Sequence, residues 1–242
     1  MTTDEYAAYA ADKDAFLIGN KDQFIFPGND DDEPPYEVPC FTVGTMIATP
    51  DGLRAVEDLV PGDLVLTRDH GAQPLRWIGI RRLDAIDLHL HENLRPVRVS
   101  AGALGDNMPE TDLVVSLQHR ILVRSRIAER MFGQPEVLVA AKQLLQLDGV
   151  DLEDDLTEVT YVHILFDRHE VVRANGAESE SLYLGPMALE AVGSAALAEI
   201  RMIFPESLEE RFEPAQARLL ASGRQGRRLA TRHRQNSQPL FM

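Results

Sequence analysis

From Cys40 onward, short runs of β-branched and other apolar residues alternate with turn-forming pairs. Residues 45–48 lead into Pro50-Asp51-Gly52, residues 63–67 follow Pro61-Gly62, and residues 75–81 follow His70-Gly71. Further runs cover 96–100, 113–116, 121–124, 161–166 and 171–174. Strands this short, closely spaced and punctuated by turns predict a mainly β domain of antiparallel strands. Helical spacing occurs twice. Ala140, Leu144 and Leu147 predict a short packing helix over 139–147, before Asp148-Gly149. Pro186 at a first turn, with Leu189, Val192, Ala196, Leu197 and Ile200 on one side, predicts a second helix over 186–204. After Pro205 the pattern fades into an arginine-rich tail, read as a solvated end.

Residues 1–39 have a different texture. They are acidic, thin in branched apolar residues, and run through Asp30-Asp31-Asp32-Glu33-Pro34-Pro35, which disfavours helix and paired strand alike. The chain therefore divides into a disordered leader (1–39), a β domain (40–184) and a helical extension with a basic tail (185–242).

With 242 residues, 44% of them hydrophobic, the chain is long enough to bury a core. Its net charge of -15 opposes chain-wide binding to nucleic acid, which needs clustered cations to displace counterions. The charge is polarised, with acids before Cys40 and, after Glu213, arginines and His233 alone. A minority reading gives that basic tail an anionic partner. No apolar run approaches the roughly 18 residues of a membrane span, and Thr2-Thr3-Asp4-Glu5 is not the opening of a secretory signal. The expectation is a soluble protein, cytoplasmic or exported without an N-terminal signal. Its single cysteine rules out an internal disulfide and leaves Cys40 as buried filler, reactive thiol or intermolecular link.

Three segments carry candidate chemistry. Cys40-Phe41-Thr42-Val43-Gly44-Thr45 is followed by Leu59-Val60-Pro61-Gly62-Asp63-Leu64-Val65; then come Ser116-Leu117-Gln118-His119 with an apolar run, and Tyr161-Val162-His163 through Asp167-Arg168-His169 to Ala174-Asn175-Gly176. Together they resemble the blocks of the Hedgehog/intein, or Hint, domain, and most closely a bacterial Hint-containing group whose likeness extends through Ser179-Glu180-Ser181 to Pro186. The resemblance spans 40–184 and implies a Hint fold with a short C-terminal helical extension. It further implies autoprocessing: the Cys40 thiol attacks the carbonyl before it, converting the Pro39-Cys40 amide into a thioester. His119 would protonate the departing nitrogen, and Ser116 would hold the Pro39 carbonyl or orient the scissile peptide. His163 or Asp167 would activate a second nucleophile, with His163 and His169 left as alternatives for one position in the block.

The departures narrow the reading. Residues 174–178 lack the His-Asn plus Cys, Ser or Thr junction of splicing members, so one cleavage is expected rather than splicing. The helical stretch near Pro186 is too little for a sterol-recognition region, which leaves water or a small thiol as the acyl acceptor and the protein's own N-terminal segment as substrate. Pro39 stands where Hedgehog-type junctions prefer glycine. No cofactor or metal is called for, since His89, His91 and Glu92 read as a solvated segment without a third ligand. His70 reads as a surface residue. The competing function is an inert Hint fold serving as a protein-interaction module. The leader's composition yields a first prediction: limited proteolysis should cut within 1–33 before anywhere else. Protection there equal to that of the β domain would contradict it.

Overall fold

A computed structural model describes residues 38–185, 194–204 and 214–241. The leader through residue 37 and the predicted helix start at 186–193 lie outside the described residues. In chain order the strands are β1 (Phe41–Thr42), β2 (Met46–Thr49), β3 (Gly52–Ala55), β4 (Leu64–Thr67), β5 (Gly71–Pro74), β6 (Trp77–Leu83), β7 (Val97–Val99), β8 (Leu113–Val115), β9 (Arg120–Arg124), β10 (Glu136–Ala140), β11 (Val150–Leu152), β12 (Val159–Leu165), β13 (Val171–Ala174), β14 (Ala177–Glu180) and β15 (Leu219–Leu220). The α-helices are α1 (Ala85–Leu90), α2 (Arg126–Phe132), α3 (Ser194–Ile203) and α4 (Gly223–Gln235). No helix among the described residues is long and apolar enough to cross a membrane.

The strands form two sheets. One has the order β11-β7-β8-β1-β12-β6; the other runs β15-β10-β9-β14-β13-β2-β3, with β4 joined to β13 and to β5. The pairings are antiparallel except that of β10 with β15. The mainly β, antiparallel architecture expected from the turn-punctuated runs is thus present. In β12 every residue except Thr160 is buried, because β1 and β6 flank the strand and both of its faces are covered. It therefore reads as a near-continuous apolar run instead of an alternation. His163 is the polar exception in its middle.

The first predicted helix is corrected. Val139 and Ala140 end β10, whose register sets Val137 to Ala140 opposite Val123 to Arg120 of β9, and only a single 3-10 turn, Ala141–Gln143, follows. Residues 137–140 are all buried, so this is a two-sided strand, which periodicity alone does not separate from a buried helix. The tail is corrected as well. Leu219 and Leu220 add β15 to the edge at β10, and Ser222 caps α4 through a reciprocal bond with Gln225. Gly226, Leu229, Ala230 and His233 form a buried stripe at helical spacing, while most of the helix's arginines face solvent. His233 Nε2 lies 2.9 Å from Ser125 Oγ, the N-cap of α2, which ties the two helices together. Finally Leu240 and Phe241 are buried, with the Arg124 guanidinium 4.5 Å over the Phe241 ring.

This packing makes the tail a test of the fold. Leu229 is fully buried, so Leu229→Ala should lower the unfolding free energy by about 2–5 kcal/mol in urea titration. A change within about 0.5 kcal/mol, typical of exposed sites, would oppose the packing described.

Candidate active site

Strand register brings the candidate residues together. β1 pairs with β12 through Phe41↔Val162 and Thr42↔Tyr161. Continued by one residue, that register sets Cys40 opposite His163, so the two side chains share a face. On the other side Ser116 follows β8 directly. The Ser116 N–H donates to the Cys40 carbonyl at 3.0 Å, and the Cys40 N–H donates to Ser116 Oγ at 3.0 Å. The Ser116 hydroxyl in turn donates to the Val38 carbonyl at 2.8 Å. The Pro39-Cys40 amide is therefore fixed through its N–H, with the Ser116 hydroxyl proton committed upstream.

His163 bridges the Pro39 carbonyl and the Cys40 thiol. Its Nδ1 lies 2.9 Å from the Pro39 carbonyl oxygen and its Nε2 lies 3.4 Å from Cys40 Sγ. A carbonyl oxygen only accepts, so the ring proton is assigned to Nδ1, which leaves Nε2 as an acceptor facing the thiol. The thiol has a second acceptor, the Val38 carbonyl, at 3.0 Å. The Trp77 indole stacks on His163 with ring centroids 6.5 Å apart and 22° between planes.

His119 sits in the turn between β8 and β9, where its N–H donates to the Ser116 carbonyl at 3.0 Å. Its ring packs edge-on against Phe41, centroids 4.3 Å apart, and is buried with neither nitrogen hydrogen-bonded. A buried imidazole without partners costs free energy that packing must offset. Nearby, the fully buried Glu180 carboxylate accepts from the Arg120 N–H at 2.9 Å and pairs with its guanidinium at 3.1 Å.

Burial governs the protonation states. It pushes the Cys40 thiol well above its ordinary value, with the Ser116 hydroxyl and the Arg81 charge pulling the other way. Burial also takes His163 down to about 4, partly countered by the Pro39 carbonyl bond. His119 is likewise lowered to about 4 by burial, against the pull of Glu180. At neutral pH the thiol and both imidazoles are therefore uncharged.

Cys40, Ser116 and His163 thus form one bonded cluster, with His119 held beside it through Phe41 and the 116–119 turn. Asp167 is not part of it. It lies exposed after β12, paired with Arg76 at 3.1 Å, on a surface pocket shared with His70 and Glu170. A role for Asp167 at Cys40 finds no support in this geometry. His169 is also elsewhere: it is fully buried, its Nε2 lies 3.2 Å from Glu180 Oε2, and its Nδ1 accepts from the Ala217 N–H at 3.2 Å. Of the two alternatives, His163 is the one that touches the thiol. Asn175, with φ +46°, and Gly176, with φ +84°, form the turn between β13 and β14. A Cβ at Gly176 would come within 2.5 Å of the Glu110 side chain. The Asn175 side chain accepts from the Met46 N–H at 2.7 Å and donates to the Asp112 carbonyl at 2.7 Å, so its contacts hold a hairpin. His89 lies in α1 and His91 at its C-cap, not on a strand face. Sequence reasoning missed Trp77, whose signal was its place as the only tryptophan in a predicted strand. It also missed Glu180, an acid embedded in a buried stretch.

A family model of the Hint domain matches residues 39–186. Among solved structures, the chain is similar to a bacterial intein-like domain from Clostridium thermocellum (16% identity, 59% of this chain and 97% of that one, TM-score 0.36). It is also similar to the gp41-1 intein (11% identity, 58% and 97%, TM-score 0.36) and the MchDnaB-1 intein (14% identity, 58% and 98%, TM-score 0.37). No curated protein sequence matches the chain.

The lowered imidazoles link stability to pH. Between about 6.5 and about 4 the unfolded chain binds protons at His119 and His163 that the folded chain does not, so stability falls as pH drops through that window. The loss should be on the order of 3 kcal/mol per imidazole by pH 4. Urea midpoints measured from pH 7 to pH 4.5 should decline, less steeply in His119→Gln; equal slopes in the two proteins would refute the assignment.

Proposed function

As the chain belongs to the Hint domain family, we propose that it processes itself once, by an N-to-S acyl shift at Cys40 that cleaves the Pro39-Cys40 bond. The observation that carries the reading is the single imidazole, His163, in reach of both the attacked carbonyl and the attacking thiol. The thiol proton passes to Nε2 as sulfur adds to the Pro39 carbonyl carbon. The imidazolium so formed strengthens the Nδ1–H bond to the oxyanion at the moment the charge develops. The proton that His163 took from sulfur then reaches the departing Cys40 nitrogen with His119 as relay, one ring nitrogen accepting as the other donates, while Ser116 keeps the departing nitrogen oriented, and the C–N bond breaks. Net, one proton has moved from sulfur to nitrogen, the two imidazoles re-equilibrating afterwards. Water or a small thiol then takes the acyl group and frees the segment ending at Pro39.

A second reading is an inert Hint fold acting as an interaction module, favoured by the near-complete burial of the thiol. Intact-mass analysis during incubation with a strong thiol or hydroxylamine separates the two. The first reading expects scission between Pro39 and Cys40, abolished in Cys40→Ala and slowed by roughly 10²- to 10⁴-fold in His163→Ala and His119→Ala. Ser116→Ala should have a smaller effect. Because His163 acts as a base only when neutral, the rate should fall as pH drops through about 4. A folded protein that stays intact through long incubation would leave the interaction module as the better account.

A further inference from the structure

The proposed site is closed. Cys40 is 5% exposed and His163 4% exposed, yet the acyl group must pass to a nucleophile that arrives from outside. The helix α3 packs into the apolar cluster that holds the thiol. Ala196, Ile200 and Phe204, spaced at four-residue intervals, are buried in the same apolar cluster as Val38, Cys40 and Trp77. The opposite side of the helix carries Arg201 and Met202, both exposed. A polar bond helps fasten it: Trp77 Nε1 donates to Glu199 Oε2 at 2.8 Å, and the same indole stacks on His163. A chain of contacts therefore runs from α3 through Trp77 to the imidazole on the thiol. A helix of ten residues is marginal by itself in water, so its order depends on this docking.

We propose that α3 is a movable cover on the Cys40 site, latched by Glu199 on Trp77, and that the acyl acceptor reaches the thioester only when α3 lifts. This rests on the self-processing reading above. With the cover down, water is excluded and the Cys40 amine, still beside the carbonyl, attacks the thioester. The amide reforms and the thiol is released with its proton, so no net reaction occurs. With the cover lifted, an external thiol or amine attacks instead, and the leader leaves joined to it. Glu199 is thus a positioning residue, acting on access and on His163 through Trp77.

The chain holds one cysteine, so a disulfide reagent such as dithiobis-nitrobenzoate reports Cys40 alone and requires no acyl shift. The full-length protein should label slowly, with a rate only weakly raised by sub-denaturing urea, the mark of a local opening. Glu199→Ala and Ile200→Ala should label at least about tenfold faster, and thiol-induced cleavage should accelerate in parallel. Leu229→Ala, which loosens α4 in the other cluster, should label within about twofold of wild type. If Ile200→Ala fails to fold, Glu199→Gln carries the comparison. Labelling as fast as a free thiol in the wild type, or wild-type rates in the α3 variants, would overturn the cover. So would faster labelling in Leu229→Ala, which would indicate global opening. Faster labelling in the α3 variants with no cleavage in any protein would instead remove the self-processing reading and leave the cover standing. Faster labelling with cleavage unchanged would overturn the claim that the cover controls the acceptor.

Discussion

The register of β1 on β12 is the constraint from which the site follows. Phe41↔Val162 and Thr42↔Tyr161 fix it, and the next step inward sets Cys40 beside His163. Because side chains alternate in a strand, a slip of one residue would turn His163 to the opposite face and bring an aliphatic neighbour to the thiol. The slip is opposed on both sides. β12 also pairs with β6 over seven residues, from Val159↔Leu83 to Leu165↔Trp77, and β1 is held by β8 through Phe41↔Val115. The reactive geometry is thus a by-product of burying a strand between two neighbours, and no dedicated loop is needed to aim the imidazole.

That economy carries a thermodynamic cost. Two imidazoles and a thiol are held away from water, Cys40 in an apolar cluster with Val38, Trp77, Tyr161, Ile200 and Phe204, and His119 against the Phe41 ring. His163 recovers part of the cost through its bonds to Pro39 and Cys40, whereas His119 recovers none through its ring nitrogens. A buried donor and acceptor left unpaired typically cost 1–3 kcal/mol. A position selected for stability alone would favour an apolar residue of similar size. The expense is intelligible if the His119 ring is needed bare, so that it meets the departing nitrogen without first breaking another bond.

Most of the β framework was legible because its strands are separated by turn pairs: Pro61-Gly62 before β4, and His70-Gly71 before the run at 75–81 that holds most of β6. The site was legible in its ends, Cys40 and the Ser116-Leu117-Gln118-His119 turn, since these carry the family likeness. His163 stood only as an alternative to His169, because its bridging contacts depend on a register that sequence does not state. Errors arose where one local signal served two structures. Residues 137–140 are apolar throughout, which suits a doubly covered strand as well as a helix, and the long-range pairing with β9 decided between them. In α4 the arginines masked a stripe at 226, 229, 230 and 233, for high charge and amphipathic helix are compatible when the charge stays on one face. Asp167, next to the buried Phe166, lies on the surface paired with Arg76, a placement that sequence proximity to His163 does not disclose.

Pro39 gains a structural meaning from this arrangement. The Val38 carbonyl accepts from both the Ser116 hydroxyl and the Cys40 thiol, so the thiol's resting hydrogen bond points upstream at 3.0 Å while His163 waits at 3.4 Å. A proline lacks an N–H and fixes its own φ, which holds the preceding carbonyl in a narrow range of directions relative to Cys40. Glycine at that position would leave the carbonyl free to swing away. The substitution that seemed unfavourable for cleavage thus also stabilises a resting state in which the thiol is bonded to a neutral acceptor instead of its base. Under the self-processing reading, the Sγ–H would turn from Val38 to His163, a change of one rotatable bond. The ring it would turn to is backed by Trp77, which is itself bonded to Glu199 of α3.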